Sequence, residues 1–380
     1  METFVSIERA LTLLSENALD LATEQIELKD AGGRTLAQDL FAKVDDPAFD
    51  NAAMDGWAVN SGAKERTEVG IAAAGDAPTK IEPGQAVRIM TGAPMPEGAD
   101  AIVMVEDGLD GQARIEFVRR RAENFAAGDR LLSEGERLTP AAVSLAATGG
   151  HPSLSVYAHP RVAVLSTGDE LIPPGENLGP GQIYESNSHG LCALLEQIGC
   201  IPVLHPVVED SMDGLRDALD GLAPEVDAIL TSGGVSMGEF DFVRRLMEEE
   251  GECIFWKVKM RPGGPPLFGR WKGTPLLGLP GNPVSSHVVF TMLAAPWLAT
   301  REHLARKVRV HLKDPVRGAP GKVCLRRIQI QVEGDRLVAS THTHQGSGNI
   351  HSMVAHNGLT LLPPDGDAAE GDVIDALWLI

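Results

Sequence analysis

The pattern of apolar and polar positions changes character several times along the chain. Apolar residues recur at helical spacing within residues 5–20, which predicts an amphipathic helix. Residues 26–45 alternate in the manner of strands and contain a Gly32-Gly33 turn, so we expect two extended runs joined by that turn. The N-terminal stretch therefore predicts a helix followed by a short β-structure.

Residues 45–125 contain short apolar runs that are separated by glycine and proline turns, a pattern typical of a small all-β domain. The predicted strands of this domain cover residues 69–74, 86–90, 101–105 and 113–118. A helix rich in small residues is predicted after it, at 139–149, where Pro140 suits the first helical turn.

Residues 160–300 show mostly apolar strands that alternate with helices. This alternation predicts an α/β domain with a mostly parallel sheet that is covered on both faces. The predicted strands are 161–166, 201–208, 228–232, 253–258 and 275–279. The predicted helices are 188–199, 212–222, 240–250 and one that begins after Pro283.

The last 75 or so residues return to short strands, which predict a second small β-domain or barrel. The predicted strands are 308–312, 323–332, 336–340, 358–362 and 373–380. The whole pattern predicts a multidomain α/β plus β protein, with a small β-domain, a mostly parallel α/β domain and a second small β-domain or barrel at the C-terminal end.

The charge balance excludes several classes of partner. The chain carries 53 acidic and 33 basic residues, a formal net charge of −20, and only 4% aromatic residues. Such a chain repels nucleic-acid backbones and anionic membrane surfaces and has few rings on which bases could stack. Its longest apolar stretch, 288–299, is interrupted and shorter than the ~20 residues of a membrane span. We therefore expect no nucleic-acid or membrane partner.

Three polar loops follow predicted strands, at 166–170, 232–236 and 280–285. Ligands of open parallel sheets bind outside the carboxyl ends of the strands, and glycine-rich turns let backbone N–H groups approach an anion. One such loop is simply a turn, but three at one edge favour a phosphate-binding crevice. The candidate binding residues are Ser166, Thr167, Gly168, Gly233, Gly234, Ser236, Pro280, Gly281, Asn282, Pro283 and Ser285.

Carboxylates flank the same loops, namely Glu170, Asp210 and Asp241. Acids beside a phosphate site repel the ligand unless a divalent cation lies between them, and Mg²⁺ held by one or two carboxylates plus substrate phosphates resolves the conflict. The alternative is that these acids cap helix N-termini. Lys257 and Arg261 would share a face with the intervening lysine if this segment were one strand.

Seven segments together resemble the MoeA family of molybdopterin molybdenumtransferases, which includes the C-terminal domain of gephyrin. The resemblance covers nearly the whole chain, and the segments match in the family's order. They are PAFDNAAMDGWAV (47–59), RIMTGAPMPEGADAIVMVE (88–106), VAVLSTGDEL (162–171), GQIYESNS (181–188), TSGGVSMGEFDF (231–242), LPGNPVS (279–285) and QGSGNIHSM (345–353).

The resemblance implies four domains. They are an elongated domain from 1–44 and 126–158, a β-insert at 45–125, an α/β molybdopterin-binding domain at 159–304 and a C-terminal β-barrel at 305–380. It also implies a homodimer whose cleft combines the α/β domain of one subunit with insert loops of the other. The implied location is the cytoplasm, in keeping with four cysteines that form no CxxC pair.

The implied reaction is Mg²⁺-dependent: adenylylated molybdopterin and molybdate give molybdenum cofactor and AMP. A molybdopterin adenylyltransferase and apo-molybdoenzymes would then be partners. By motif position the resemblance assigns functional roles to Glu170, Asp210, Asp241 and Lys257 in the α/β domain and to Asp55 and Thr91 in the insert. Arg261 and Ser347 would contact the substrate, and Asp241 and Glu170 would hold the metal.

Three departures from the family pattern stand out. The family's RGED appears as Arg121-Ala122-Glu123-Asn124, so Asn124 replaces an acid. Its KPGKP appears as residues 261–265, where Arg261 replaces the first lysine, keeping the charge but not the shape, and Gly264 replaces the second. These departures keep open a non-catalytic scaffold that carries the cofactor. A molybdopterin adenylyltransferase is the other alternative, although the resemblance implies that this activity needs only the α/β unit.

Overall fold

Apolar strands that alternate with amphipathic helices produce a seven-stranded sheet in the first of two compact units. The computed structural model describes residues 1–236, 238, 241–299, 305–341 and 344–379. The first unit comprises Met1–Ala22 with Ala158–Ile380, and the second is Thr23–Tyr157. Phe240 and Ile380, the first and last residues of a predicted helix and strand, lie outside the described residues.

The seven strands of the central sheet are β1 (Glu2–Val5), β2 (Arg161–Ser166), β3 (Ile201–Leu204), β4 (Ala228–Ser232), β5 (Glu252–Val258), β6 (Leu267–Trp271) and β7 (Thr274–Leu279). Their order across the sheet is β1-β5-β6-β7-β4-β2-β3. Only β6 runs antiparallel to its neighbours, so the sheet is mostly parallel, as predicted.

Helices cover both faces of this sheet. The helices are α1 (Ile7–Glu16), α2 (Asn187–Gln197), α3 (Met212–Leu222), α4 (Phe242–Glu249) and α5 (Pro283–Val289). Apolar residues of α1, α2 and α5 form one core with the sheet, and those of α3 and α4 form another on the opposite face. Ser6 begins α1 by accepting a hydrogen bond from the Arg9 backbone N–H at 3.2 Å. After α5 the chain continues through a π-helical segment, Phe290–Ala294, and a short turn of helix, Ala295–Leu298.

The C-terminal part of this unit is a closed five-stranded barrel, as predicted. Its strands are β8 (Ala305–Leu312), β9 (Arg327–Glu333), β10 (Arg336–Thr341), β11 (Gly358–Thr360) and β12 (Val373–Leu379), and they close in the order β8-β10-β9-β11-β12. Val310, Ile328 and Ala376 are among its buried core residues. A short helix, His351–Val354, precedes β11.

The second unit is mostly β-structure, as the glycine and proline turns predict. Its four-stranded sheet has the order Thr67–Ala72, Gln85–Ile89, Gly56–Val59 and Ala101–Met104. Three small strand pairs join Thr23–Glu27 to Ser153–Tyr157, Leu40–Phe41 to Arg130–Leu132, and Asn51–Ala52 to Val118–Arg119. The helix Pro140–Thr148 begins at Thr139, whose hydroxyl accepts from the Ala142 backbone N–H at 3.2 Å.

Several predicted strands differ from the observed ones for physical reasons. Strand β3 ends at Leu204, shortly before Pro206, whereas the apolar run continues to Val208. The predicted strand 323–332 is divided in two. Val323–Cys324 pairs with Met260–Arg261, while β9 starts only at Arg327 and belongs to the barrel.

One more prediction was wrong, and one strand was missed. Residues 113–118 are mostly not a strand, since Ile115–Phe117 form a 3-10 turn with Ile115 about half exposed. Arg114 forms a single bridge with Ile102, and Val118–Arg119 pair with Asn51–Ala52. Strand β6 was not predicted at all, although it lies in the middle of the sheet. Within the described part of the chain, no helix is both long and apolar enough to cross a membrane.

Candidate functional site

The three predicted loops follow adjacent parallel strands and therefore meet at one edge of the sheet. Strands β7, β4 and β2 are consecutive neighbours, and Ser232 at the end of β4 is in register with Ser166 and with Leu279. The loops stay joined beyond the strands, because the Gly233 N–H donates to the Leu279 carbonyl at 3.0 Å. The carboxyl-end crevice expected from the strand pattern is thus present.

This crevice forms a cavity of about 970 Å³ in the first unit, walled by the three loops and by residues of the barrel region. It brings together most of the residues that the sequence nominated. Those lining the cavity are Thr167, Gly168, Glu170, Asp210, Gly233, Gly234, Ser236, Asp241, Arg261, Pro280, Gly281, Asn282, Pro283, Ser285 and Ser347. Their contact with a substrate stays a prediction.

The second loop requires glycine at two consecutive positions. Gly233 and Gly234 have φ angles of +96° and +69°, in the left-handed region that other residues rarely adopt. A Cβ on Gly234 would also lie 2.8 Å from a methyl carbon of Val243, at the start of α4. The loop therefore passes close to the helix and keeps its backbone exposed toward the cavity.

Two nominated residues of the first unit lie outside the cavity lining. Ser166 is buried behind it, with its hydroxyl donating to Glu185 Oε1 at 3.0 Å. Lys257, near the end of β5, has a φ of +67°, which breaks the regular alternation of side chains, and its ammonium lies 3.9 Å from the centre of the Trp256 ring. Because of that φ angle, the simple alternation that would place Lys257 and Arg261 on one face does not hold.

Acidic side chains crowd one side of the cavity. The pKa of Asp210 is raised by its burial first and then by the negative charges of Asp169, Glu170 and Asp241. Asp241 occupies the N-cap position of α4, yet its carboxylate accepts from the Gly238 backbone N–H instead of from a helical N–H. Capping of α4 therefore does not account for the Asp241 side chain.

These carboxylates suit a cation site that substrate phosphates complete, but not one that protein side chains form alone. Among the described residues, no group of three or more His, Cys, Asp or Glu side chains is arranged to hold a metal ion. The described residues therefore do not form a metal site made entirely of protein side chains. Glu170 and Asp241 both line the cavity, and carboxylate oxygens are the protein ligands that Mg²⁺ takes when substrate phosphates complete its shell.

Sequence reasoning missed a buried arginine at the cavity wall. Arg327 is only 1% exposed, its Nε donates to Ser352 Oγ at 3.0 Å, and a terminal nitrogen donates to the Gly346 carbonyl at 3.0 Å. Burial and the neighbouring Arg326 lower its pKa. The strand reads RIQIQVE, in which the polar positions alternate with apolar ones, so its pattern did not mark Arg327 as buried. Buried cations are costly unless an anion pairs with them, which makes this arginine a candidate anion-binding residue.

Sequence reasoning also missed two polar residues near the start of α2 that line the cavity, Glu185 and Asn187. The Glu185 carboxylate is buried and accepts from the Ser166 hydroxyl and from the backbone N–H and hydroxyl of Ser188. The Asn187 amide donates to Ser232 Oγ at 2.8 Å and to the Gly281 carbonyl at 2.7 Å. Both residues thus connect α2 to the strand-end loops.

In the second unit, Asp55 and Thr91 lie together. The Thr91 backbone N–H and hydroxyl both donate to Asp55, and these bonds, together with the Arg88 charge, lower the pKa of Asp55. The basic run 119–121 is largely neutralised within the unit, since Arg120 pairs with Asp50 at 2.7 Å and Arg121 with Asp45 at 2.5 Å.

Asn124 and Gly264, two of the positions that depart from the family pattern, each have a charged neighbour. The Asn124 amide donates to Asp46 Oδ2 at 2.7 Å, and both residues line a cavity of about 290 Å³. Gly264 lies between Gly263 and Pro265, which line the large cavity, and the Lys322 ammonium is 3.8 Å from where a Cβ on Gly264 would be. A lysine is therefore adjacent to the position at which the motif lacks one.

A strand-end crevice completed by a barrel defines a multidomain protein built on a cofactor-binding α/β domain, and comparison with known proteins identifies which one. The MoeA N-terminal region (domain I and II) matches residues 5–150, the probable molybdopterin binding domain matches 163–300, and the MoeA C-terminal region (domain IV) matches 309–379. The chain belongs to the MoeA family of molybdopterin molybdenumtransferases. It is thus a member of a family of transferases in molybdenum-cofactor biosynthesis.

Relatives of full length support this assignment. The molybdopterin molybdenumtransferase of Synechococcus elongatus is 36% identical over 93% of this chain and 94% of its own. Molybdopterin molybdenumtransferase 2 of Mycobacterium tuberculosis is 37% identical over 90% and 91%. A crystal structure of a MoeA protein from Pyrococcus horikoshii superposes with a TM-score of 0.81 at 27% identity, over 99% of this chain and 100% of that one.

Proposed function

We propose that this protein inserts molybdate into adenylylated molybdopterin, releasing AMP and molybdenum cofactor. The observation that carries the proposal is the strand-end cavity of the first unit, in which three loops meet the buried Arg327. Its volume of about 970 Å³ lies at the upper end of the range for sites that bury a small organic ligand. The full-length relatives carry the name of this activity.

Different residues of the cavity suit different parts of the substrate. The backbone N–H groups of the glycine-rich second loop and the hydroxyls of Thr167 and Ser236 suit the phosphate oxygens of the adenylylated substrate. Arg261 and the buried Arg327 suit the negative charge that accumulates when a phosphoanhydride bond breaks. Ser347, on the barrel side, adds a hydroxyl donor that suits an oxyanion such as molybdate.

Mg²⁺ is the cofactor that fits the negative charges of the cavity carboxylates and the substrate phosphates. Glu170 and Asp241 would hold it. When bound, it would neutralise phosphate charge and the repulsion between the phosphates and the carboxylates. With the cation held by these carboxylates, the end of the substrate that carries the phosphates would lie on their side of the cavity. Asp210 adds a third negative charge, which strengthens the need for a cation there.

We further propose that the working form is a homodimer in which Asp55 and Thr91 of a second copy complete the cleft. The lining residues of the large cavity all belong to the first unit, whereas Asp55 and Thr91 belong to the second unit. The family resemblance supports the exchange between copies. A cytoplasmic location fits the four cysteines, all of which are free thiols.

The chemistry of the reaction also indicates which proteins would act before and after it. A molybdopterin adenylyltransferase would supply the adenylylated substrate, and apo-molybdoenzymes would accept the product. The barrel side of the cavity favours the transferase over an adenylyltransferase, since Arg327 and Ser347 belong to a region that the α/β unit alone does not contain.

The proposal is tested by incubating the full-length protein with adenylylated molybdopterin, molybdate and Mg²⁺ and measuring AMP. We expect AMP release that depends on all three components. Asp241→Ala should lower it roughly 100-fold, the scale seen when one group that stabilises developing charge is removed. The matched control is Asp335→Asn, because Asp335 lies in a turn with its side chain 92% exposed and should have no effect.

Other outcomes would indicate the two alternatives. Pyrophosphate release from ATP and unmodified molybdopterin would identify an adenylyltransferase. Tight binding of finished cofactor without any turnover would identify a scaffold. Full activity of Asp241→Ala would remove Asp241 from the mechanism.

A further inference from the structure

One short segment, residues 185–188 at the start of α2, connects the ends of all three cavity-forming strands. Glu185 binds the hydroxyl of Ser166, the last residue of β2. Asn187 binds the hydroxyl of Ser232, the last residue of β4, and the carbonyl of Gly281, two residues after β7. The three loops are therefore held by one segment that belongs to none of them.

The hydrogen bonds of Asn187 can be assigned without ambiguity. A backbone carbonyl only accepts hydrogen bonds, so the side-chain atom 2.7 Å from the Gly281 oxygen has to be the amide nitrogen. The same nitrogen donates its other hydrogen to Ser232 Oγ at 2.8 Å. One NH₂ group thus joins the second and third loops, and no other side-chain chemistry of the same size supplies two donors at that point.

The segment has a rigid base. Glu185 is 4% exposed, and its Oε1 also accepts from the Ser188 backbone N–H at 2.8 Å, while Oε2 accepts from the Ser188 hydroxyl. These bonds fix the first turn of α2 relative to β2. Asn187 lies between the two residues of this network, so its amide is presented to the loops in a fixed direction.

A glycine lets α2 come close enough to α5 for this contact. A Cβ on Gly190 would lie 2.8 Å from Nε2 of His287, which is partly buried on α5. Helix α5 begins directly after the third loop, at Pro283. The close packing at Gly190 therefore brings Asn187 within reach of Gly281.

We propose that Asn187 is a positioning residue, which sets the spacing between the second and third loops and thereby the geometry of the phosphate site. The inference rests on the proposed function for the substrate it names, because those two loops are the ones that would hold the phosphates. Asn187 acts through Ser232 and Gly281. Misplacement of a bound substrate by about 1 Å lowers turnover on the order of 100-fold, so a small change in loop spacing suffices.

The test is the isosteric variant Asn187→Asp, which loses both donors. Affinity for AMP is measured by calorimetry, and AMP release is measured in a single turnover. We expect AMP to bind about tenfold more weakly, and the single-turnover rate to fall on the order of 100-fold because the reacting groups are misplaced. Asn357→Asp is the matched control, since it loses one amide bond to the Ile330 carbonyl in the barrel, 3.0 Å long, and should leave both readouts unchanged.

A second pair of variants guards against misfolding. Gly190→Ala leaves the Asn187 side chain intact but should push α2 away from His287 and lower AMP affinity in the same direction. Adding His287→Ala creates room for the new methyl group and should restore the affinity. Lower affinity of Gly190→Ala at an unchanged melting temperature, restored by His287→Ala, separates loop positioning from loss of fold stability.

The proposal is overturned if Asn187→Asp behaves like Asn357→Asp, with a lower melting temperature at most and unchanged AMP affinity. It is also overturned if Gly190→Ala leaves AMP affinity unchanged. Should the wild-type protein release no AMP from adenylylated molybdopterin, the proposed function fails, while AMP binding by the variants still decides the role of Asn187.

Discussion

Asp55 receives two hydrogen bonds on the same carboxylate oxygen from one residue, Thr91, at 2.7 Å from the backbone N–H and 2.8 Å from the hydroxyl. The two bonds lower the pKa of Asp55 and fix the direction of its free oxygen. They connect the two motifs of the second unit that the family resemblance nominated. The carboxylate is therefore held ionised and oriented at the protein surface.

The first prediction follows from this pair. Thr91→Val keeps the backbone bond and removes the hydroxyl, so the second unit should fold normally while AMP release falls on the order of tenfold, the scale of one hydrogen bond to a charged group. Thr79→Val, in a nearby stretch outside the strands, is the control. Activity of Thr91→Val equal to that of wild type would show that the orientation of Asp55 has no part in turnover.

The second prediction concerns the proposed exchange between copies. Asp55→Ala and Asp241→Ala should each be inactive, and a mixture that has exchanged subunits should recover about a quarter of wild-type activity. Half of the dimers would be mixed, and each would contain one intact cleft. Recovery is followed as AMP release after mixing. A mixture that stays inactive although exchange is verified by mass-tagged subunits contradicts the shared cleft.

The strand-end loops could be predicted from sequence because their position depends on local pattern alone. An apolar run that ends in a glycine-rich polar stretch identifies a strand and its carboxyl end, and parallel neighbours bring such ends together. This reasoning placed Gly233, Gly281 and Asp241 at one cavity. It needed no knowledge of distant contacts.

Residues that depend on tertiary contacts could not be found in this way. Glu185 and Arg327 form hydrogen bonds with Ser166 and Ser352, 19 and 25 positions away in sequence. Lys257 was misplaced because its positive φ angle interrupts the strand period on which the prediction rested. Local pattern does not contain this information, since packing of the whole unit determines it.

The third prediction uses the partly buried imidazole of His287, whose pKa is lowered below its ordinary value of 6.5 by desolvation. The unfolded chain then binds a proton more readily than the folded protein does. The contribution of His287 to the free energy of unfolding should therefore be complete above pH 6.5. The free energy of unfolding should fall as the pH drops from 6.5 toward the lowered pKa.

Denaturant unfolding at several pH values measures this effect. His287→Gln should flatten the pH dependence in that window, and His205→Gln, at a partly exposed histidine, serves as the control substitution. An identical pH dependence in wild type and His287→Gln would exclude His287 as the titrating group.

The fourth prediction concerns Gly264 and its neighbour Lys322. The Cβ of a residue at 264 would meet nothing closer than 3.5 Å, and Gly264 has no positive φ, so Gly264→Lys should fold. The Lys322 ammonium already lies beside that position. We therefore expect Gly264→Lys alone to change AMP affinity less than twofold, because the second charge is largely redundant.

In a variant that lacks Lys322, a lysine at position 264 should change the affinity for AMP. Lys322→Ala should weaken AMP binding severalfold, as the loss of one partly exposed charge does, and Gly264→Lys should recover it in that background. Calorimetric titration of the three variants checks both statements. Unchanged affinity in Lys322→Ala would mean that its ammonium does not contribute to the anion site.

The last prediction concerns Asn124, which replaces a family acid and donates to Asp46 at 2.7 Å. Asn124→Asp would place two carboxylates in contact, and like charges at that distance raise the pKa of one of them. The folded variant would then hold a proton that the unfolded chain releases near pH 4. Its stability relative to wild type should be normal at low pH and should fall as the pH rises through the raised pKa. Unfolding of both proteins between pH 4 and 8 measures this difference, with Asn124→Ala as the uncharged control. A pH-independent difference between Asn124→Asp and wild type would contradict the coupling of the two side chains, and an acid at 124 would then be compatible with this chain's Asp46.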